Sequence, residues 1–199
     1  MSFSTDLLRR VREYPWPACD LRDRATLIDS LTFMLQLMLA SEQLVDLAAM
    51  RAGRLGCIPL RDYLLAHAEE ERGHAVWMMR DLDSSGAPWR DRPLALQAIE
   101  AAGSQYYLIM HAHPAALLGY MAVLECQPMP LERVAELERL HGVELLRTLR
   151  FHAVHDVDHA QGVCRALDAL PVDLHALVTN NALNVARHIA DASRRFGKD

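Results

Sequence analysis

The chain is poor in the features that mark anchored, secreted or nucleic-acid-binding proteins. Its four cysteines, Cys19, Cys57, Cys126 and Cys164, stand far apart and form no C-x-x-C pair. In a chain of 199 residues that spacing points to reduced, mostly buried thiols and a cytoplasmic setting. Met1-Ser-Phe-Ser-Thr-Asp6 has no basic region followed by an apolar core, so no secretory signal is expected. The longest apolar stretches, such as residues 31–40, are interrupted by Thr32 and Gln36 and read as too short to span a bilayer. A soluble protein with no membrane partner is expected. The net charge of −5 and the pI of about 6.0 give no reason to expect a nucleic-acid partner. The 21 Lys and Arg are scattered, and pairs such as Arg9-Arg10 and Arg194-Arg195 read as solvated helix ends. No G-x-S-x-G, P-loop or G-x-G-x-x-G pattern occurs. No alternating stretch reads as a strand, and no linker or low-complexity run divides the chain.

What is present is helix. Apolar residues recur at three- and four-residue spacings over about 25–51, with Gly53 and Gly56 ending that helix and Pro59 opening the next, over 60–82. Residues 83–88 read as a loop. Further helices are predicted over 93–110, 114–126, 130–140, 143–170 and 172–196, with Pro114, Pro130 and Pro171 placed where a first turn accepts proline. The expected fold is all-α: a single helical domain over residues 1–199, with a core bundle of about seven helices over 25–196.

Two halves of the chain carry matched ionisable sets. A lone Glu42 precedes His67-Ala-Glu-Glu-Glu71-Arg-Gly-His74, and a lone Glu125 precedes His152-Ala-Val-His-Asp156-Val-Asp-His159. Each block reads H-x3-[E/D]-x2-H. At 100° per residue, positions i, i+4 and i+7 share one helix face, so His67, Glu71 and His74 converge, and so do His152, Asp156 and His159. Two carboxylate-x-x-His pairs plus two further glutamates are the side-chain set of a dinuclear site in a helical bundle. Glu42 and Glu125 interrupt apolar helices, and a buried, unpaired carboxylate costs several kcal/mol unless a cation shares its charge. Oxygen and imidazole donors suit iron or manganese better than zinc.

The candidate metal-binding residues are Glu42, Glu71, His74, Glu125, His152, Asp156 and His159. Glu70, four residues before His74, is the alternative to Glu71. His155, four before His159, borders the second face. His67 is read as a donor that orients a carboxylate from behind, with direct ligation as the alternative, and Glu70 and His155 are candidates for the same supporting layer. His111, His113, His141, His175 and His188 read as exposed histidines without a metal role. Met34, Met38, Met78, Met79, Met110 and Met121, with Trp77 and Tyr120, read mostly as core, the alternative being the lining of an apolar substrate cavity.

In Glu-Glu-Arg-Gly-His74, in Pro-Ala-Ala-Leu-Leu-Gly-Tyr-Met-Ala-Val-Leu-Glu125 and in the H-x3-D-x2-H of His152, Asp156 and His159, the chain resembles the heme-oxygenase-like di-iron oxidases and oxygenases, often labelled iron-containing redox enzymes. The resemblance runs from about residue 25 to the C-terminus. It implies a bundle like that of heme oxygenase and the thiaminase-II relatives. It also implies two irons, the second weakly held, on the seven ligands named above, with O2 and a small organic molecule as substrates. Manganese is the alternative metal. Electrons would come from a donor that the sequence does not identify, and a homodimer is left open. Heme itself is not expected, because no histidine precedes His67. The rival readings are a metal-free enzyme of the thiaminase-II or pyrroloquinoline-quinone-synthase type, and a ferritin-like iron-binding protein.

Overall fold

The computed structural model describes residues 1–198, Val157 by its backbone alone. Among these residues there are nine α-helices and no strand: α1 Phe3–Arg12, α2 Arg24–Arg54, α3 Ile58–Glu71, α4 His74–Ser84, α5 Leu96–His111, α6 Leu117–Leu124, α7 Leu131–His141, α8 Arg147–Asp168 and α9 Val172–Ser193. Short 3-10 turns lead into α6 (Pro114–Ala116) and α8 (Val143–Leu146).

Local chemistry sets most of the ends. The Asp23 carboxylate accepts the Thr26 N–H at 2.8 Å and starts α2. Gly56, at φ 74°, makes the turn after α2, and Pro59 lies in the first turn of α3. α8 begins against a residue of another helix: buried Asp81 of α4 accepts the Thr148 N–H at 2.6 Å. Burial pushes the Asp81 carboxyl above its ordinary value, although that N–H pulls the other way.

Two helices exceed the expected seven. α1 carries too short an apolar pattern to stand out, yet Leu7 and Val11 are fully buried and its first turn is tied to α8, where Asp168 accepts the Ser4 N–H at 2.7 Å. The helix expected over 60–82 is broken after Glu71. Arg72 adopts extended backbone and Gly73 a left-handed φ of 90°, which ends α3 and starts α4 afresh. The expected 114–126 helix stops at Leu124, so Glu125 lies just past its end. The helix expected to reach residue 196 ends at Ser193.

α2 runs through the middle. By length and composition its 31 residues could cross a membrane, contrary to what the interrupted stretch 31–40 suggests. Its buried residues instead serve three apolar clusters of the bundle, a small one through Phe33 and Leu37 and two larger ones. Leu27, Ile28, Leu31 and Leu35 meet Met78, Leu82, Val134 and Leu146; Leu44, Val45, Ala48 and Ala52 meet Leu64, Leu118, Val163 and Val185. Glu42 falls at the junction between these clusters, and the ionisable residues gather around it.

Candidate metal centre

The last turn of α3 presents His67 and Glu71. His74 is the first residue of α4, Glu125 follows α6, and α8 contributes His152, Asp156 and His159. These side chains form two adjoining groups. In one, Glu71, His74 and His152 each place a donor atom within 4.8 Å of the others; in the second, His67, Glu125 and His159 do the same. His74 Nδ1 lies 3.1 Å from Glu71 Oε2, and His67 Nε2 lies 3.3 Å from Glu125 Oε1. The other oxygen of Glu71 lies 3.2 Å from His159 Nδ1. One carboxylate thus faces a histidine of each group. Asp156 stands between two histidines of its own helix, 3.0 Å from His152 Nδ1 and 3.6 Å from His159 Nδ1.

Four buried atoms of this set have no hydrogen-bond partner: Glu71 Oε1, Glu125 Oε2, His152 Nε2 and His159 Nδ1. The first and last are close to each other, but the approach is not aligned for a hydrogen bond. A buried polar atom without a partner costs about 1–3 kcal/mol, and here four converge from α3, α8 and the end of α6. Carboxylate oxygens and imidazole nitrogens are donors that iron and manganese accept, so these residues fit such ions.

Glu42 plays a different part from the others. Its Oε1 accepts the Gly73 N–H at 3.0 Å, which ties α2 to the break between α3 and α4. The break corrects the expectation that Glu71 and His74 ride on one continuous helix. They reach one group from two helices that meet at a left-handed glycine. A glycine inside a helical pattern, in Arg-Gly-His74, was the available signal.

The flanking candidates separate clearly. Glu71 is mostly buried, whereas Glu70 is largely exposed and meets the set only through His159 Nε2, at 3.4 Å. Glu69 pairs with Arg72 in solvent. His155 is not brought to the cluster: it is exposed, stacks on Phe151 at 4.0 Å and donates to the Phe151 carbonyl at 2.9 Å. His67 takes a place in the second group itself. Tyr63, one turn before His67, was not singled out from the sequence. Its hydroxyl is buried without a partner, and its ring centroid lies 6.1 Å from that of His67.

Electrostatics follow from this crowding. Burial disfavours a charged His67 ring, but the Glu125 hydrogen bond and the charges of Glu125, Glu71 and Glu70 outweigh it and move the ring upward. His152 is raised in the same way, burial being overcome by Asp156. Glu71 is held below the carboxylate range despite burial, chiefly by the His74 hydrogen bond and charge.

The remaining histidines lie elsewhere. His188 corrects the expectation of exposure: it is buried, with Nδ1 3.1 Å from Glu100 Oε2 and Nε2 accepting from Arg187 at 3.1 Å. His175 stacks flat on Phe3, and His113 Nδ1 accepts the Ala115 N–H.

A cavity of about 530 Å³ opens beside the centre. Glu42, His67, Glu71, His74, Glu125, His152 and Asp156 line one part, and Phe33, Met34, Leu37, Met38 and Ile189 line another. Met78, Met121 and Tyr120 join the lining, whereas Met79, Met110 and Trp77 do not. Trp77 packs instead against the His74 ring at 4.3 Å and against Phe151 at 5.0 Å.

The comparisons with known proteins agree with this architecture. No curated protein matches the chain in sequence. Among solved structures, a domain of unknown function with a heme oxygenase-like fold, from Shewanella denitrificans OS217, superposes with a TM-score of 0.60 over 97% of this chain and 84% of that one. The two share 16% identity, so the likeness shows the fold alone. A family model described as iron-containing redox enzyme matches residues 31–193, a span from α2 to the end of α9 that holds both donor groups. The chain therefore belongs to the iron-containing redox enzymes, built on the all-α heme-oxygenase-like fold.

Proposed function

We propose that the chain is an O2-activating, non-heme di-iron oxidase or oxygenase that acts on a small organic substrate. The observation that carries this reading is the set of four unpartnered buried donor atoms on Glu71, Glu125, His152 and His159, divided between two adjoining groups. Glu71, His74 and His152 would hold one ion; Glu125, His159 and His67 would hold the second, more weakly bound one. Glu71 faces both groups. Asp156 would ligate or orient from between His152 and His159, and Glu42 from the cavity wall. Ferrous ions bound there would supply electrons to O2, manganese being the alternative metal, and a separate donor would have to restore those electrons.

The residues themselves prepare the site. Trp77 and Phe151 clamp the His74 ring and fix its direction. Phe33, Leu37 and Met38 keep water from the part of the cavity where the substrate body would sit. No Lys or Arg lines that cavity, so a polar group on the substrate would find its partners at the carboxylate and histidine end. The four free thiols suit a cytoplasmic setting.

Anaerobic titration with Fe(II), followed by metal analysis and O2 consumption, tests the reading. Uptake approaching two irons per chain, with O2 consumption that depends on an organic substrate, supports it. Absence of uptake overturns it in favour of a metal-free enzyme on this fold. Iron oxidation that no organic substrate alters overturns it in favour of iron storage.

A further inference from the structure

Helix α5 buries two glutamines and leaves a stripe of large apolar side chains in solvent. Its buried residues are Gln97, Ala98, Ala101, Ala102, Gln105 and Ile109. Most of its large apolar side chains, Ile109 and Leu108 excepted, lie in solvent: Leu96 is 57% exposed, Ile99 48%, Tyr106 38%, Tyr107 67% and Met110 40%. The interior accepts the polar residues because Gln105 and Asn181 of α9 exchange side-chain hydrogen bonds at 3.0 and 2.7 Å. A surface helix ordinarily turns its apolar stripe to the core and its polar side to water. A contiguous apolar stripe left in solvent marks a contact surface.

The stripe also has order. Leu96, Ile99, Gly103, Tyr106 and Met110 follow one another at alternating spacings of three and four, the repeat of a helix–helix seam. Gly103 at its centre is exposed, and a Cβ added there would meet nothing within 4 Å. Nothing in the protomer therefore requires a glycine, although glycine weakens a helix relative to alanine. The pattern is symmetric about it. Leu96 and Met110 lie seven residues to either side, Ile99 and Tyr107 four, Glu100 and Tyr106 three.

We infer that α5 pairs antiparallel with α5 of a second copy of this chain, across a twofold axis that passes Gly103. Leu96 then meets the partner's Met110 and Ile99 meets the partner's Tyr107, while Tyr106 keeps its hydroxyl on Gln43 of its own protomer and offers its ring to the partner's Glu100. Such pairing of one patch with itself is what a twofold interface demands. The bare backbone at Gly103 lets the two helices approach closely. Leu39, exposed on α2 between Gln36 and Gln43, widens the strip, because Gln36 bonds to Ala95 and Gln43 to Tyr106. The exposed parts of Leu39 and of the five apolar α5 residues amount to roughly 650 Å². Fully covered by a second copy, that strip reaches the lower end of stable interfaces, about 600 Å² per partner.

Sedimentation of the whole chain across micromolar concentrations, with three variants, tests the pairing. The wild-type chain should be a dimer. Gly103→Arg, which the protomer has space to accept, should raise the dimer dissociation constant at least about 100-fold while the helical circular dichroism is unchanged. Gly103→Cys should cross-link to its own copy under mild oxidation, since the axis brings the two positions within disulfide reach. Leu131→Cys, exposed on α7, should not. The cross-link stands as an independent test should the arginine variant fold poorly. A monomeric wild-type chain overturns the inference, including one that binds lipid vesicles or another protein through α5. So does a dimer that Gly103→Arg leaves intact and Gly103→Cys does not cross-link.

Discussion

The Gly73 N–H donates to the Glu42 carboxylate across 3.0 Å, so a residue of α2 holds the break that separates Glu71 from His74. Without the break, α3 would carry on through Arg72 and His74 would stand elsewhere relative to Glu71. Gly73 has φ 90°, and a Cβ there would meet no atom within 4 Å. Gly73→Ala therefore imposes backbone strain without a clash, about 1–2 kcal/mol. It should lower stability by that amount in urea denaturation and lower the iron bound per chain. Gly86→Ala, at φ 67° in the loop after α4, serves as control and should lose stability while keeping its iron. Equal iron loss in both variants would show that the break does not serve the centre.

Gly119 sits at the crossing of α6 and α9. A Cβ there would lie 2.4 Å from the Val178 carbonyl oxygen and 3.0 Å from the Ala182 nitrogen, both backbone atoms that no rotamer change can move. Gly119→Ala should cost about 3 kcal/mol, at the upper end of overpacking penalties, because two helices must separate. Thermal unfolding followed by circular dichroism would register a fall of about 6–12 degrees, as expected for such a loss in a chain of this length. An unchanged midpoint would mean that the crossing yields easily.

The readability of this chain follows the range of the interactions concerned. The faces of α8 and of the last turn of α3 are set by spacing alone, so the alignment of His152, Asp156 and His159 could be read from the sequence. The break at Gly73 could not, because the periodic pattern continues across it and the Glu42 contact that holds it spans 31 residues. α1 was missed for the same reason: Leu7 and Val11 are buried by distant helices rather than by a pattern of their own. The place of His67 depends on the end of α6 meeting α3, and the burial of His188 depends on α5 bringing Glu100 to it. Such meetings leave no trace in local spacing.

The tie between α1 and α8 should depend on pH. Asp168 accepts the Ser4 N–H at 2.7 Å and the Ser4 hydroxyl at 2.9 Å. Partial burial raises its carboxyl, but these bonds outweigh that and hold it below the ordinary value. A carboxylate depressed on folding stabilises the folded state above its unfolded value, and that stabilisation is lost as the pH falls through the folded value. Asp168→Asn should therefore be less stable than wild type at neutral pH, and the gap should narrow once both are acidified below the carboxylate range. Urea midpoints at the two pH values measure this. A gap that is constant with pH would mean that the charge of Asp168 contributes nothing.

Glu70 and Glu71 are neighbours in sequence with opposite surroundings, which makes them a sharp test of the centre. Glu71 directs one oxygen at His74 and the other toward His159, while Glu70 stands mostly in solvent. A glutamine in place of Glu71 keeps the shape but removes the charge that two cations would share, and it leaves an amide facing two imidazoles. Glu71→Gln should bind less than half the iron of the wild-type chain after anaerobic loading. Glu70→Gln should bind nearly as much as wild type, as should His155→Ala, whose ring is spent on the Phe151 carbonyl. Metal analysis of the desalted proteins gives the answer directly. If Glu70→Gln lost as much iron as Glu71→Gln, the exposed carboxylate would have to swing inward on metal binding, and Glu71 would no longer be singled out by its position between the two groups.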